Sequence, residues 1–331
     1  MQDSLFSDES LPRASAVRPV PPDPALASLA KKLPDTLRLG TSSWHYPGWA
    51  GLVWDKIYTE TQLSQHGLPS YTEHPLFRTV GVDRGFYRPL PESVWAEYAA
   101  QTPADFRFVI KAPALVADAM VRAPDGQGKD VNPRFLSPGD AVEQFAAPAL
   151  QGLGHKLGAL VFQLSPLPTA WLEHMPRLIS QLHRMLAALP DMSTQAPDAV
   201  VAVEVRDPQW LTPAFVAALR DTRATYCLGL HAKMPTIAEQ LPILRALWPG
   251  PLVCRWNLNP RHGAYGYETA RDLYAPFDKL VDEDTETRQT LAKVIAGTAR
   301  AGYPAYVTLS NKAEGCSPKS VIKLAEAVLA Q

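Results

Sequence analysis

The sequence has few cysteines and no cysteine pattern of the kind that binds a metal. Three occur among 331 residues, at Cys227, Cys254 and Cys316. Their number is odd and their spacing does not match a zinc knuckle. Cys227 and Cys254 lie in apolar runs, which predicts small core residues, while Cys316 lies in a polar segment and is a candidate reactive thiol. So few cysteines are typical of a reducing compartment, and we expect a cytoplasmic protein.

An excess of charge and a long hydrophobic run are also missing. Asp and Glu number 33 against 32 Lys and Arg, for a formal net charge of -1. This balance does not favour nucleic acid or an anionic membrane as a partner, although a local basic groove would not show in a sum over the whole chain. No apolar run reaches the roughly 20 residues of a membrane helix. The expected partner is therefore a small molecule, with no membrane and with nucleic acid less favoured.

The N-terminal segment differs in composition from the rest of the chain. Prolines lie among acidic and small residues before position 25, and the charged and then apolar pattern of a signal peptide is absent. This composition predicts a disordered lead over residues 1–25. Residues 37–331 are expected to form a single domain, because 46% hydrophobic and 20% charged residues are typical of globular proteins.

Apolar, β-prone runs recur along the chain and predict buried strands. They cover residues 37–42, 77–83, 106–112, 158–164, 200–206, 224–230, 251–257 and 305–311. The runs are short and almost continuously hydrophobic, as in strands buried on both faces. Helical patterns with apolar residues every three or four positions lie between them, at 91–101, 168–189, 213–221, 236–248, 287–301 and 318–330.

Strands that alternate with helices in this way predict a parallel, eight-stranded (β/α)8 barrel of the TIM type. Long strand-to-helix loops at 43–76, 112–136 and 258–284 would lie on the face that carries function in such barrels. The alternative is an open doubly wound sheet. That fold often carries a glycine-rich phosphate turn after its first strand, and GTSSWHYPG (40–48) lacks the required spacing.

The predicted fifth strand, VVAVEVR (200–206), carries two charges inside an apolar run. Side chains alternate along a strand, so Glu204 and Arg206 point to the same side, into the barrel, while Val201, Val203 and Val205 face the helices. A charge inside the barrel is costly unless it is paired. Arg255 on the seventh strand is a possible partner, and the sequence leaves open whether it faces inward.

Seven motifs in order along the chain resemble a known family. They are GTSSWHYPGW (40–49), FYR (86–88), FRFVIKAP (106–113), FQLSP (162–166), VEVRDPQW (203–210), CRWN (254–257) and SNKAEG (310–315). The chain is similar to the YecE-like family (domain of unknown function 72), TIM-barrel proteins without an established activity. The resemblance covers nearly the whole barrel. It carries over polar and aromatic positions at strand ends, namely Ser42, Trp44, Tyr46, Trp49, Phe86, Tyr87, Lys111, Gln163, Glu204, Arg206, Trp210, Arg255 and Asn311.

Some strand ends depart from the family's pattern. The family's second strand usually ends with glutamate and asparagine, where this chain has Gly81 and Asp83. The seventh usually ends in His-Gly, and Asn257 stands in place of the histidine. The eighth usually ends in Asn-Asn-Asp, and Lys312 stands in place of the aspartate. The resemblance therefore implies altered chemistry in this chain, or none.

Glu204 and Lys111 are the candidate catalytic residues, because each ends a predicted strand at the functional face. Glu204 would act as a general acid or base, with a pKa set by burial and a nearby cation. Lys111 would form a Schiff base, carry a proton or bind an anion. Each also has a structural interpretation: Glu204 would close the barrel mouth through an ion pair, and Lys111 would extend to solvent.

The candidate substrate-binding residues lie at or just beyond predicted strand ends. They are Arg206, Arg255, Asn257, Asn311, Trp44, Tyr46, Tyr87 and Gln163. Guanidinium groups bind phosphate or carboxylate bidentately, and aromatic rings stack on a sugar or a base. The tryptophans near strand ends are candidates to line this mouth; the alternatives are internal pairing of the arginines and packing of loops by the aromatic rings, and loop packing is favoured for Trp54 and Trp210. The tryptophans are Trp44, Trp49, Trp54, Trp210 and Trp256.

Two hypotheses for function follow. The first is an enzyme, a hydrolase, lyase or isomerase, that acts on a small anionic or sugar-containing substrate. The alternative is a barrel with a degenerate site that binds a metabolite or nucleic acid without turnover. No cofactor or metal is expected, since H-x-H, H-E-x-x-H, P-loop and G-x-S-x-G patterns are absent.

Overall fold

The computed structural model describes residues 16–122, 128–231, 233–263 and 266–331. Within them the barrel consists of parallel strands β1 (Leu37–Thr41), β2 (Thr79–Val82), β3 (Arg107–Lys111), β6 (Leu157–Gln163), β7 (Val200–Glu204), β8 (Thr225–Leu230), β9 (Leu252–Trp256) and β10 (Ala305–Leu309). A separate antiparallel hairpin pairs β4 (Met120–Arg122) with β5 (Gly128–Val131).

The barrel strands pair in the order β1-β10-β9-β8-β7-β6-β3-β2, and β2 pairs with β1 to close the ring. Every pairing in the ring is parallel. The prediction of a TIM-type barrel is therefore confirmed, and each of the apolar runs forms one of its strands.

The helices are α1 (Pro24–Ala30), α2 (Glu60–His66), α3 (Leu68–Tyr71), α4 (Glu92–Ala100), α5 (Ala114–Ala117), α6 (Pro138–Ala141), α7 (Ala147–Leu153), α8 (Thr169–Leu172), α9 (Met175–Ala187), α10 (Pro213–Asp221), α11 (Ile237–Ala246), α12 (Tyr267–Tyr274), α13 (Thr285–Arg300), α14 (Asn311–Glu314) and α15 (Ser317–Leu329). Short 3-10 turns lie at Pro47–Trp49, Arg84–Phe86, Gly154–Lys156, Pro208–Trp210 and Pro260–His262, and a π-helical turn lies at Val142–Ala146. The helices pack outside the barrel, as a parallel sheet buried on both faces requires.

Side-chain alternation separates two layers of core. One cluster, the interior of the barrel, consists of Val109, Ala159, Val161, Val200, Ala202, Cys227, Val253 and Tyr306. The other lies between strands and helices and includes Val203 and Val205. Residues of even number on β7 therefore face the interior, which directs Glu204 into the barrel as predicted.

A hydroxyl followed by proline begins two helices as a cap. Thr212 accepts a hydrogen bond from the backbone N–H of Phe215 at the start of α10. Ser137 does the same for Asp140 at the start of α6. These contacts satisfy N–H groups that have no partner within the helix.

Residues 17–20 of the predicted disordered lead pack on the loop after β1, and residues 21–25 are exposed. Val17 is buried, Pro19 forms a β-bridge with Trp54, and the backbone N–H of Val20 donates to the carbonyl of Val53. The proline-rich composition thus does not prevent this stretch from docking through its apolar residues. Residues 1–15 of the predicted lead lie outside the described residues.

The cysteines are all buried. Cys227 and Cys254 are core residues, as predicted. Cys316, the candidate reactive thiol, is enclosed at the start of α15, and burial raises its pKa to about 11, which does not favour reactivity. In the described part of the chain, no helix is both long enough and apolar enough to cross a membrane.

Candidate functional site

Glu204 lies at the centre of an ion-pair network at the carboxyl end of the barrel. Its side chain is 0% exposed. Arg206 pairs with Oε1, and Nη1 of Arg255 lies 2.7 Å from Oε2. Nδ2 of Asn257 donates to Oε1 at 3.1 Å. Both carboxylate oxygens therefore have charged or amide donors, as a buried charge requires.

Arg255 extends the network across the mouth. Its side chain faces inward from β9, which answers the question that the sequence left open. Nη2 lies 2.8 and 2.7 Å from the carboxylate oxygens of Asp83, just after β2. Nη1 also donates to Oε1 of Gln163 at 2.9 Å, and the same oxygen accepts from Nη2 of Arg206 at 3.1 Å. The guanidinium groups of Arg206 and Arg255 thus connect the carboxyl ends of β2, β6, β7 and β9.

Gly229 provides the space in which this network forms. It lies on β8, between the strand of Glu204 and the strand of Arg255, and it pairs with Arg255 in register. A Cβ atom at Gly229 would lie 3.0 Å from Cγ and Oε1 of Glu204 and 3.2 Å from Nη1 of Arg206. A side chain on β8 at this level would separate the carboxylate from its arginines.

The electrostatic environment keeps Glu204 ionised. Burial alone would raise its pKa, but the charges of Arg206 and Arg255, together with their hydrogen bonds, outweigh burial and lower the pKa to about 2. A carboxylate with this pKa holds no proton near neutral pH and is a weak base. The prediction that Glu204 is the general acid or base is therefore not supported by its environment, whereas the structural ion pair that was the alternative is present.

Lys111, at the end of β3, brings an ammonium group to the mouth. Its Nζ lies 3.6 Å from the centre of the Phe86 ring. Among the described residues, no carboxylate lies within ion-pair distance of this ammonium group. Burial lowers the pKa of Lys111 to about 8; Asp83 opposes this effect and Arg255 adds to it.

Lys312 is a second buried ammonium group, on α14 beyond β10. It is 6% exposed, and its Nζ lies 4.2 Å from the ring centre of Tyr267 and 5.7 Å from that of Phe277. Burial lowers its pKa to about 8 as well. In the residues that the structure describes, it too has no carboxylate within ion-pair distance.

The predicted tryptophan-lined mouth is not formed. Trp44, Trp49, Trp54, Trp210 and Trp256 are all buried, at 5% exposure or less. Trp44 donates its indole N–H to the carbonyl of Leu63, so it anchors the loop after β1. The five tryptophans are thus core residues at or just beyond strand ends.

The predicted binding residues Tyr46, Tyr87 and Asn311 lie outside the ion-pair network. Tyr46 is half-buried, and its ring packs edge-on against Phe277 at 5.5 Å. Tyr87 is 88% exposed, and its ring lies edge-on to that of Phe86. Asn311 is fully buried, and its Oδ1 accepts from the backbone N–H and the hydroxyl of Ser317. Asn311 therefore holds the start of α15, where Ser317 is the first helical residue.

Metal ligands do not converge at the mouth. Among the described residues, no three His, Cys, Asp or Glu side chains are arranged to hold a metal ion. His231, after β8, has its pKa lowered to about 4 by burial and by Arg206. Its imidazole is therefore neutral at pH 7, and it adds no charge to the site.

The fold and the mouth define a TIM-type barrel whose polar groups are gathered at the carboxyl ends of its strands, the location of function in this architecture. A family model described as "Protein of unknown function DUF72" matches residues 38–331. The chain belongs to the DUF72 family, as its motifs indicated. A search of curated proteins finds no match.

Solved structures of DUF72 family proteins share the fold. A DUF72 family protein (EF0366) from Enterococcus faecalis V583 has a TM-score of 0.54 at 16% identity, with 88% of this chain and 95% of that chain covered. A DUF72 family protein (TM1631) from Thermotoga maritima MSB8 has a TM-score of 0.53 at 18% identity, with 89% and 99% covered. At these identities the comparison concerns the fold alone.

Three members of the site were not among the predicted site residues. Asp83 was noted as a departure from the family's pattern, and its pairing with Arg255 was not predicted. Gly229 lies in an apolar strand, and its role appears only when the strands on either side are known. The added charge of Lys312 was noted. The rings around its ammonium group belong to Tyr267 and Phe277, which are distant in sequence, so this environment was not predicted.

Proposed function

We propose that the mouth of the barrel binds a small anionic metabolite that carries phosphate or carboxylate, and that the protein is an enzyme in which Lys111 is the reactive group. The observation that carries this proposal is the difference between Lys111 and its neighbours. Both oxygens of Asp83 and both oxygens of Glu204 accept hydrogen bonds or ion pairs from Arg255, Arg206 or Asn257. Among the residues that the structure describes, the ammonium of Lys111 contacts the Phe86 ring and has no hydrogen bond or ion pair.

The charge of the mouth supports an anionic ligand. Lys111, Lys312, Arg206 and Arg255 contribute four positive charges, and Asp83 and Glu204 contribute two negative ones, so the sum is +2. Charges that are shielded from water interact strongly because little solvent screens them. Since both arginines are bound to carboxylates of the protein, the excess positive charge belongs to Lys111 and Lys312. A ligand anion at the end of β3 would supply the partner that the ammonium group of Lys111 lacks.

The chemistry of Lys111 favours catalysis over binding of an anion without turnover. An amine with a pKa of about 8 is unprotonated in about one molecule in ten at pH 7. That fraction is a nucleophile toward a carbonyl group and a base toward a carbon acid, whereas an ordinary lysine is almost fully protonated. Glu204 in this account positions Arg206 and Arg255 and exchanges no proton.

Binding of inorganic phosphate, followed by calorimetry, tests the first part of the proposal. A hydrogen bond to a charged group contributes about 1.5–3 kcal/mol, so we expect Lys111→Ala to weaken binding by roughly 10- to 150-fold. Lys111→Arg should retain part of the affinity, and Lys323→Ala, at an exposed position on α15, is the matched control. Affinity should fall as pH rises above 8, because the ammonium loses its proton. Equal affinity in Lys111→Ala and the wild type would refute anion binding by this residue.

Reductive trapping tests the second part. The protein is incubated with small anionic aldehydes and ketones and then with borohydride, and peptides are examined by mass spectrometry. A Schiff base would leave the reduced adduct on Lys111 and not on Lys323. If phosphate binding depends on Lys111 but no adduct forms and no compound turns over, the alternative of a binding barrel without catalysis replaces the enzyme.

A further inference from the structure

A cavity of about 330 Å³ lies at the end of the barrel opposite to the mouth. Its walls come from α11 and α13, and its floor includes Thr225 and Leu252, the first residues of β8 and β9. The volume lies at the lower end of the range of small-molecule sites. None of the residues that line it belongs to the ion-pair network of Glu204.

The walls of the cavity are apolar. Leu241, Leu244 and Leu247 line one side and are only partly buried by the protein itself, and Val294 lines the other. The ring of Trp248 lies at the rim and is 52% exposed. These side chains leave apolar surface in contact with water, and an apolar ligand would cover it favourably.

Gly297 keeps the cavity open. It lies inside α13, where glycine is less favourable than alanine because it costs more backbone entropy. A Cβ atom at this position would meet no atom within 4 Å. The helix therefore has room for a side chain at a position where a side chain would stabilise it, and that room is part of the cavity.

The charge at the cavity is positive. Arg245 and Lys293 are exposed lining residues, and no Asp or Glu lines the cavity. Within the described ranges, neither Arg245 nor Lys293 has a carboxylate within ion-pair distance. Their charges are complementary to an anionic head group, and threonines such as Thr290 add hydroxyl donors.

We propose that this cavity binds an amphipathic monocarboxylate with an unbranched apolar chain of about eight carbons. The apolar walls take the chain, and Arg245 and Lys293 take the carboxylate. A cavity of about 330 Å³ lies at the lower end of the range of small-molecule sites and therefore favours a short chain. Octanoate is the probe of this class.

Titration of the full-length protein with octanoate, followed by calorimetry and by tryptophan fluorescence, tests the proposal. We expect saturable binding of one octanoate, weakened about fourfold for each methylene removed from the chain. Octylamine should not bind measurably, and octanol should bind at least tenfold more weakly than octanoate. In the double variant Arg245→Gln, Lys293→Gln, octanoate should bind no better than octanol.

Substitutions that fill the cavity with a side chain provide a second test of the proposal. Gly297→Leu should reduce octanoate binding more than tenfold without lowering the melting temperature. Gly297→Ala, which adds only the Cβ atom, is the milder variant if leucine disturbs folding. Gly139→Leu is the matched control, because its position on α6 also has open space around the Cβ. Unchanged octanoate binding in both Gly297 variants, or no binding to the wild type, would overturn the proposal. So would a concentration-dependent dimer that buries Trp248, since the apolar surface would then be covered by a second copy of the chain.

Discussion

Replacing Glu204 with glutamine removes the charge at the centre of the network and preserves the shape of the side chain. In the variant, Arg206 loses its carboxylate, and Arg255 retains only Asp83. Removing one member of a buried ion pair typically costs 3–5 kcal/mol, because it leaves a buried charge without compensation. We therefore expect Glu204→Gln to lower the free energy of unfolding by about 3–5 kcal/mol at pH 7.

The pH dependence of stability gives a second measure of the same network. The pKa of Glu204 is about 2 in the folded protein against 4.5 ordinarily, and this difference corresponds to about 3 kcal/mol. Because the folded-state pKa is the lower one, the stabilisation is present in full above pH 4.5 and is lost as pH falls from 4.5 toward 2. At pH 3, about 2 kcal/mol of it is lost.

Urea denaturation at pH 7 and pH 3 checks both the loss of stability in Glu204→Gln and the dependence of that loss on pH. The stability difference between wild type and Glu204→Gln should shrink by about 2 kcal/mol from the first pH to the second. Glu97→Gln, at an exposed position on α4, is the matched control and should change stability by less than about 0.5 kcal/mol. A loss below about 1 kcal/mol in Glu204→Gln at pH 7, or a difference that does not change with pH, would refute the reasoning.

Three further substitutions test residues around the ion-pair network of Glu204. Gly229→Ala places a methyl group 3.0 Å from the Glu204 side chain, and overpacking of this kind should lower stability by about 1–3 kcal/mol in urea denaturation. Asn311→Ala removes the acceptor for the N–H and hydroxyl of Ser317, so we expect a similar loss in thermal unfolding and no change in phosphate affinity. Lys312→Met removes a buried ammonium group whose folded-state pKa is lowered from 10.5 to about 8. The wild type should therefore gain stability as pH rises from 8 to 10.5, and the variant should gain less.

Each of these outcomes has a matched comparison. Gly139→Ala adds a methyl group in open space and should not destabilise, so an equal effect at Gly139 and Gly229 would contradict the account of the network. Weaker phosphate binding by Asn311→Ala at unchanged stability would return Asn311 to the binding site. An identical alkaline stability profile for Lys312→Met and wild type would show that this lysine is not desolvated.

The barrel was predictable because each strand is buried on both faces. Such strands are short, apolar and separated by amphipathic helices, and all three properties are local in the sequence. Side chains alternate along a strand, and this pattern is also local in the sequence. The prediction that Glu204 on β7 faces inward was therefore correct. The early contacts of Val17 and Val20 were missed because a proline-rich segment shows no periodic pattern, although its few apolar residues dock on the loop after β1.

The site was less predictable because its roles depend on distances between strands. Trp44 and Asn311 have the residue types of ligand-binding groups, and only the structure shows that the indole holds Leu63 and that the amide holds Ser317. Glu204 was correctly placed, but its pKa depends on two arginines from different positions in the sequence. A residue at a strand end thus marks the location of function without fixing the role of its side chain.

The proposal that Lys111 is a desolvated cation at an anion site is tested most directly by measuring the pKa of its amine. It is obtained by NMR from the pH dependence of the ε-methylene resonances of lysine, assigned by their absence in Lys111→Arg. The account predicts a midpoint near 8 in the free protein, and a higher midpoint when inorganic phosphate is added, because a bound anion stabilises the ammonium form. A midpoint near 10.5 that phosphate does not move would contradict the assignment of Lys111 as the desolvated cation of an anion site.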